Sequence, residues 1–107
     1  MRKLFFIYLS FCFFDNTSAQ QIENRLILFG DAGEINKQQG DLLAEASRLI
    51  LAGKTHVYFL GDNIYPHGMG LTNTEAEETA AILQSQYIPF RRQGVPVTFI
   101  AGSHEWD

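Results

Sequence analysis

Three places in this chain put a short apolar run just ahead of a glycine and then of side chains that can hold metal or move protons. They are Phe29-Gly30-Asp31, Leu60-Gly61-Asp62 and Ala101-Gly102-Ser103-His104-Glu105. Two carboxylates brought side by side repel, and one takes up a proton unless positive charge lies between them. A cation removes that conflict, as do two cations about 3.5–4 Å apart bridged by one carboxylate. A histidine beside them titrates near neutrality and suits proton transfer. A single Asp after a strand is often only a turn former. Three such ends in one short chain argue for shared chemistry.

The elements that must position these residues are legible as apolar periodicity. Arg25–Phe29, Val57–Leu60 and Val97–Ala101 are short runs rich in β-branched and aromatic residues, without polar alternation. Runs of this kind read as strands buried on both faces and paired in parallel. Between the first two, Leu42, Leu43, Ala46, Leu49 and Ile50 recur at helical spacing. Asn36 is the expected N-cap and Gly53 the expected stop, giving a helix of about fifteen residues. Between the second and third, Thr74-x-x-Glu77 reads as a capping box, Ala76, Ala80, Leu83 and Tyr87 as an apolar stripe, and Pro89 as an end or kink near Ile88. The order is β-α-β-α-β, an α/β arrangement with right-handed crossovers. All three glycine-bearing ends then fall on one edge of the sheet, where open α/β sheets bind ligands. On adjacent strands Asp31 and Asp62 stand about 4.8 Å apart. The long loop from Asn63 to Asn73 is expected to line the pocket.

Phe29-Gly30-Asp31-Ala32-Gly33, Leu60-Gly61-Asp62-Asn63-Ile64-Tyr65 and Ala101-Gly102-Ser103-His104-Glu105 resemble, in order and spacing, the first three signature blocks of the calcineurin-like metallophosphoesterases. Within that superfamily the pattern is closest to the purple acid phosphatases, and the resemblance spans Leu26 to Asp107. It implies that Asp31 binds a first metal, Asp62 bridges two metals and Tyr65 is a phenolate ligand. On the residues alone, packing of Tyr65 against Pro66 stands equally open. The resemblance further implies that His104 contacts the substrate phosphate and protonates the leaving group, while a metal-bound hydroxide attacks. The metals implied are iron, with iron, zinc or manganese as the second. The fold implied is a four-layer αββα sandwich, whose second sheet covers the side that the two helices leave bare.

Two departures from the pattern shape the reading. Ser103 stands where the family carries an asparagine ligand of the second metal, and a hydroxyl is a poorer ligand. The family's later histidine blocks, Val-x-x-His and Gly-His-x-His, are not found here. His56, at a strand start, and His67, in a loop, read as solvated or satisfied rather than as ligands. Residues 20–107 are therefore expected to be the amino-terminal part of such a domain, inactive alone. The alternative is a degenerate, non-catalytic binding module of the same fold. A dinucleotide-binding protein is disfavoured, because no Gly-x-Gly-x-x-Gly follows the first strand.

Ahead of this unit, Arg2 and Lys3 precede the apolar run Leu4–Phe14, and Asp15–Ala19 is polar and small. Residues 1–19 thus read as a secretory signal peptide, and the protein as secreted or periplasmic. An eleven-residue run falls short of the roughly 20 apolar residues of a transmembrane segment. A lipoprotein acylated at Cys12 is disfavoured by Phe11, which takes the place of a small residue. Removing the leader takes the only cysteine with it and moves the formal charge from −4 to −5. No basic stripe marks a nucleic-acid partner. The expected partner is a phosphorylated small molecule or other phosphoester.

Overall fold

The computed structural model describes residues 20–106; the signal peptide expected over residues 1–19 lies outside them. The elements run β1 (Arg25–Phe29), α1 (Lys37–Ser47), β2 (Thr55–Phe59), α2 (Asn73–Arg91), β3 (Val97–Phe99) and a single 3-10 turn, Ser103–Trp106. The strands form one parallel sheet in the order β1-β2-β3. Fold class and element order follow the periodicity. Among the described residues no helix is long and apolar enough to cross a membrane.

The register sets Phe29 beside Phe59 and Phe59 beside Phe99. Their rings stack at 4.9 and 4.8 Å, and Phe90 of α2 closes on the row at 5.7 Å from Phe29 and 6.4 Å from Phe59. Aromatic pairs of this kind contribute about 0.5–1.5 kcal/mol each beyond their burial. This row lies at the carboxyl ends of the strands and fixes the heights from which all three glycine-bearing segments leave the sheet. Leu43 and Ala46 of α1, with Val57 and Val95, complete the same core.

Burial is one-sided, contrary to the reading of strands covered on both faces. Ile27, Phe29, Val57 and Phe59 point to the helices, whereas Leu26 is 62% and Leu28 58% exposed. Both crossovers return on the same side, so α1 and α2 touch each other and, among the described residues, the opposite face carries no helix.

The element ends also differ in detail. α1 has 11 residues and its N-cap is Asn36, whose Oδ1 accepts from Gln39 N–H at 2.9 Å. It ends at Ser47 because Arg48 and Leu49 N–H bond three residues back, to Glu45 and Ala46, tightening the last turn. Leu42 and Leu49, counted in the stripe, are exposed. Gly53, at φ +73°, supplies the left-handed residue of a later turn into β2 rather than the helix stop. In α2 the capping box is Thr72 with Glu75, one pair earlier than Thr74 with Glu77. The overlapping Thr-x-x-Glu pairs make the two starts equivalent by composition. α2 also runs through Pro89 to Arg91. The fully buried Phe90 draws that last turn into the core, and burying a phenylalanine side chain, worth about 1.5–3 kcal/mol, outweighs one missing backbone hydrogen bond. β3 stops at Phe99, two residues short of Ala101.

Candidate metal centre at the strand ends

Asp31 and Asp62 occupy equivalent places after β1 and β2, and both have φ +52°. They are the non-glycine residues at positive φ among the described residues. Left-handed backbone is disfavoured for side chains bearing a Cβ, although Asp tolerates it better than most. The two ends are tied together: Asp31 N–H donates to Gly61 O at 3.2 Å and Gly33 N–H to Asp62 O at 3.1 Å.

Tyr65 is held by its own N–H on Gly33 O at 3.1 Å, and it follows Ile64, which is 2% exposed and anchors the loop. Its phenol donates to Asp31 Oδ1 at 3.0 Å and stands 3.4 Å from Asp62 Oδ2. The phenol thus stands between the two carboxylates. Burial, then the hydrogen bond and charge of Asp31, and then Asp62, push its pKa up to about 12. The phenol therefore keeps its proton at neutral pH and bridges two groups that would otherwise repel.

Asp62 is tied to the third strand end. Its Oδ1 accepts from His104 N–H at 3.0 Å and from Ser103 Oγ at 3.3 Å. The His104 backbone N–H above all, with help from Ser103, holds its carboxyl below the usual aspartate range despite burial. The strand ends approach too closely for any side chain at Gly102, where a Cβ would lie 2.4 Å from Asp62 N and 2.5 Å from Asp62 Oδ1. His104 packs its ring 4.5 Å from that of Tyr65, and its Nδ1 lies 2.7 Å from Pro66 O, across a cis Tyr65–Pro66 peptide. Because a carbonyl only accepts, the proton of this contact sits on Nδ1.

All five predicted residues, Asp31, Asp62, Tyr65, Ser103 and His104, therefore meet at one edge of the sheet. His56 does not join them: it stacks on Tyr58 at 4.3 Å and pairs with Thr98 Oγ at 3.0 Å near the strand starts. Two grooves of about 370 and 380 Å³ flank the cluster, and Tyr65 lines both. The second contains much of the 63–73 loop, including His67.

Several supporting residues have no counterpart in the sequence reading. Glu105 accepts from the backbone N–H groups of Asp62 (3.0 Å), Asn63 and Gly102. Asn63 donates to Ile100 O at 2.8 Å, and the fully buried Gln86 donates to Asn63 O at 2.7 Å. Only the Gly102-x-x-Glu105 spacing gave a local signal, since a glutamate three residues after a cap reaches back to the cap's N–H.

The donor set is all oxygen: two carboxylates, a phenol and a hydroxyl. Among the described residues no three His, Cys, Asp or Glu side chains gather into a metal-holding group. The set fits one hard cation at Asp31, Asp62 and Tyr65, because oxygen donors of this kind suit such ions and the phenol proton already marks the meeting point of both carboxylates. No protein-family model matches the chain, and no curated protein or solved structure matches it.

Proposed function

We propose that the chain belongs to an exported metal-dependent phosphoesterase of the calcineurin-like type and supplies three of its strand ends. The observation that supports this reading is the convergence of Asp31, Asp62 and Tyr65, with His104 packed against Tyr65. Asp31 and Tyr65 would hold a first cation, Asp62 would bridge to a second and Ser103 would face the second. Iron, paired with iron, zinc or manganese, fits the resemblance. Such cations supply the positive charge that polarises a phosphoester and activates water.

The chain's own residues orient and deliver protons. The hydrogen bond to Pro66 O orients the His104 ring, which as an imidazolium would protonate a leaving oxygen. Asp62 stays ionised because backbone and hydroxyl donors favour its charged form. The two grooves beside Tyr65 offer room for the organic part of a phosphomonoester. Leu26 and Leu28 on the bare sheet face are where the second sheet of an αββα sandwich would pack.

A second reading, a non-catalytic binding module, is favoured by one contact. Ser103 Oγ donates to Asp62 Oδ1, so the hydroxyl serves the carboxylate rather than an outside ligand. Hydrolysis of an aryl phosphate by the product of the whole reading frame, loaded with iron and manganese, separates the two. The enzyme reading expects turnover that Asp62→Asn abolishes and His104→Ala slows about 10²–10⁴-fold. Absence of turnover with every metal loaded overturns it in favour of the binding module.

A further inference from the structure

Asp62 reaches its place only by holding a left-handed backbone, and one side chain grips the amides on both sides of that bend. Residues near the left-handed region turn successive N–H groups toward a common point, forming a concavity that attracts anions. Here the Asp62 and Asn63 N–H groups point at the two oxygens of Glu105, and the Gly102 N–H joins them. The concavity is thus filled from within the chain, by a half-buried carboxylate carried on the 3-10 turn after β3. Asp31, with the same φ, gives its N–H to a neutral carbonyl instead, that of Gly61.

We propose that Glu105 is a positioning residue: by binding the Asp62, Asn63 and Gly102 amides it holds the backbone of Asp62 in the bend that aims the Asp62 carboxylate at Tyr65. The purpose of that aim, cation binding, rests on the reading under Proposed function; the clamp itself does not. The same carboxylate joins the second strand end to the third, so Asp62, Ser103 and His104 move as one piece.

The test uses the chain with Glu105 unchanged, replaced by Gln and replaced by Ala, and reads two quantities. The first is hydrogen exchange at the Asp62, Asn63 and Gly102 amides, and the second is affinity for Mn²⁺. Gln has the same size but presents an NH2 to one side of the concavity. It should keep some of the three amides protected, expose the rest by about tenfold or more, and weaken Mn²⁺ binding to an intermediate level. Ala should expose all three amides and weaken Mn²⁺ further. A role in packing alone predicts Gln equal to the unchanged chain on both readouts, and a role in capping the 3-10 turn alone predicts loss at Gly102 only. Either result overturns the proposal. If the unchanged chain binds no Mn²⁺, the metal reading fails, and exchange at Asp62 and Asn63 alone decides the clamp.

Discussion

Tyr65 Oη lies 3.0 Å from Asp31 Oδ1, so the loop after β2 is fastened to the end of β1 by one hydrogen bond between a phenol and a carboxylate. The bond exists only while the phenol keeps its proton. Since Tyr65 has its pKa raised from 10 to about 12, the folded chain binds that proton more tightly than the unfolded chain does. The associated stability is complete below pH 10 and is lost as pH rises from 10 toward 12.

Difference titration of tyrosinate absorbance, unchanged chain minus Tyr65→Phe, should therefore isolate one component with a midpoint near 12. Asp31→Asn should lower that midpoint, because the carboxylate's charge and hydrogen bond both favour the protonated phenol. A midpoint near 10 would show that Tyr65 is not held between the carboxylates.

At the start of α2, Thr72→Ala should cost about 1 kcal/mol in thermal or denaturant unfolding, since it removes both the side-chain acceptor for Glu75 N–H and the partner of the Glu75 carboxylate. Thr74→Ala, inside the first turn and exposed, should stay within about 0.5 kcal/mol of the unchanged chain. Equal costs, or a larger cost at Thr74, would place the helix start one pair later.

These cases show what the sequence could carry. The strand ends carrying Asp31, Asp62, Ser103 and His104 are legible because each follows a local apolar run and a glycine, whereas Tyr65 is singled out only by the resemblance. The start of α2 was not, because Thr72-x-x-Glu75 and Thr74-x-x-Glu77 satisfy the same rule. The course of α2 through Pro89 depends on Phe90 finding a buried place between β1 and β2, a tertiary fact. Glu105 was seen only as a neighbour of His104; its hold on Asp62 and Asn63 spans more than forty residues, and no local pattern records it. The bare second face was legible only through the resemblance, since apolar residues on both faces of β1 do not by themselves say what covers the second face.

That second face gives its own prediction. Leu26 and Leu28 form an exposed apolar strip on an edge strand, and such surfaces favour association. Leu28→Lys should reduce self-association in sedimentation measurements while moving unfolding stability by no more than about 0.5 kcal/mol. Unchanged association with a large loss of stability would mean that Leu28 is already covered in solution.

In the proposed function Asp31, Asp62 and Tyr65 form a cation site that serves a phosphoester. Calorimetric titration of the chain with Mn²⁺, followed by inorganic phosphate, tests it most directly. One Mn²⁺ should bind per chain, phosphate should bind only after Mn²⁺ is present, and Asp31→Asn or Asp62→Asn should abolish both. Phosphate binding that needs no cation, or Mn²⁺ binding that survives Asp62→Asn undiminished, would contradict it.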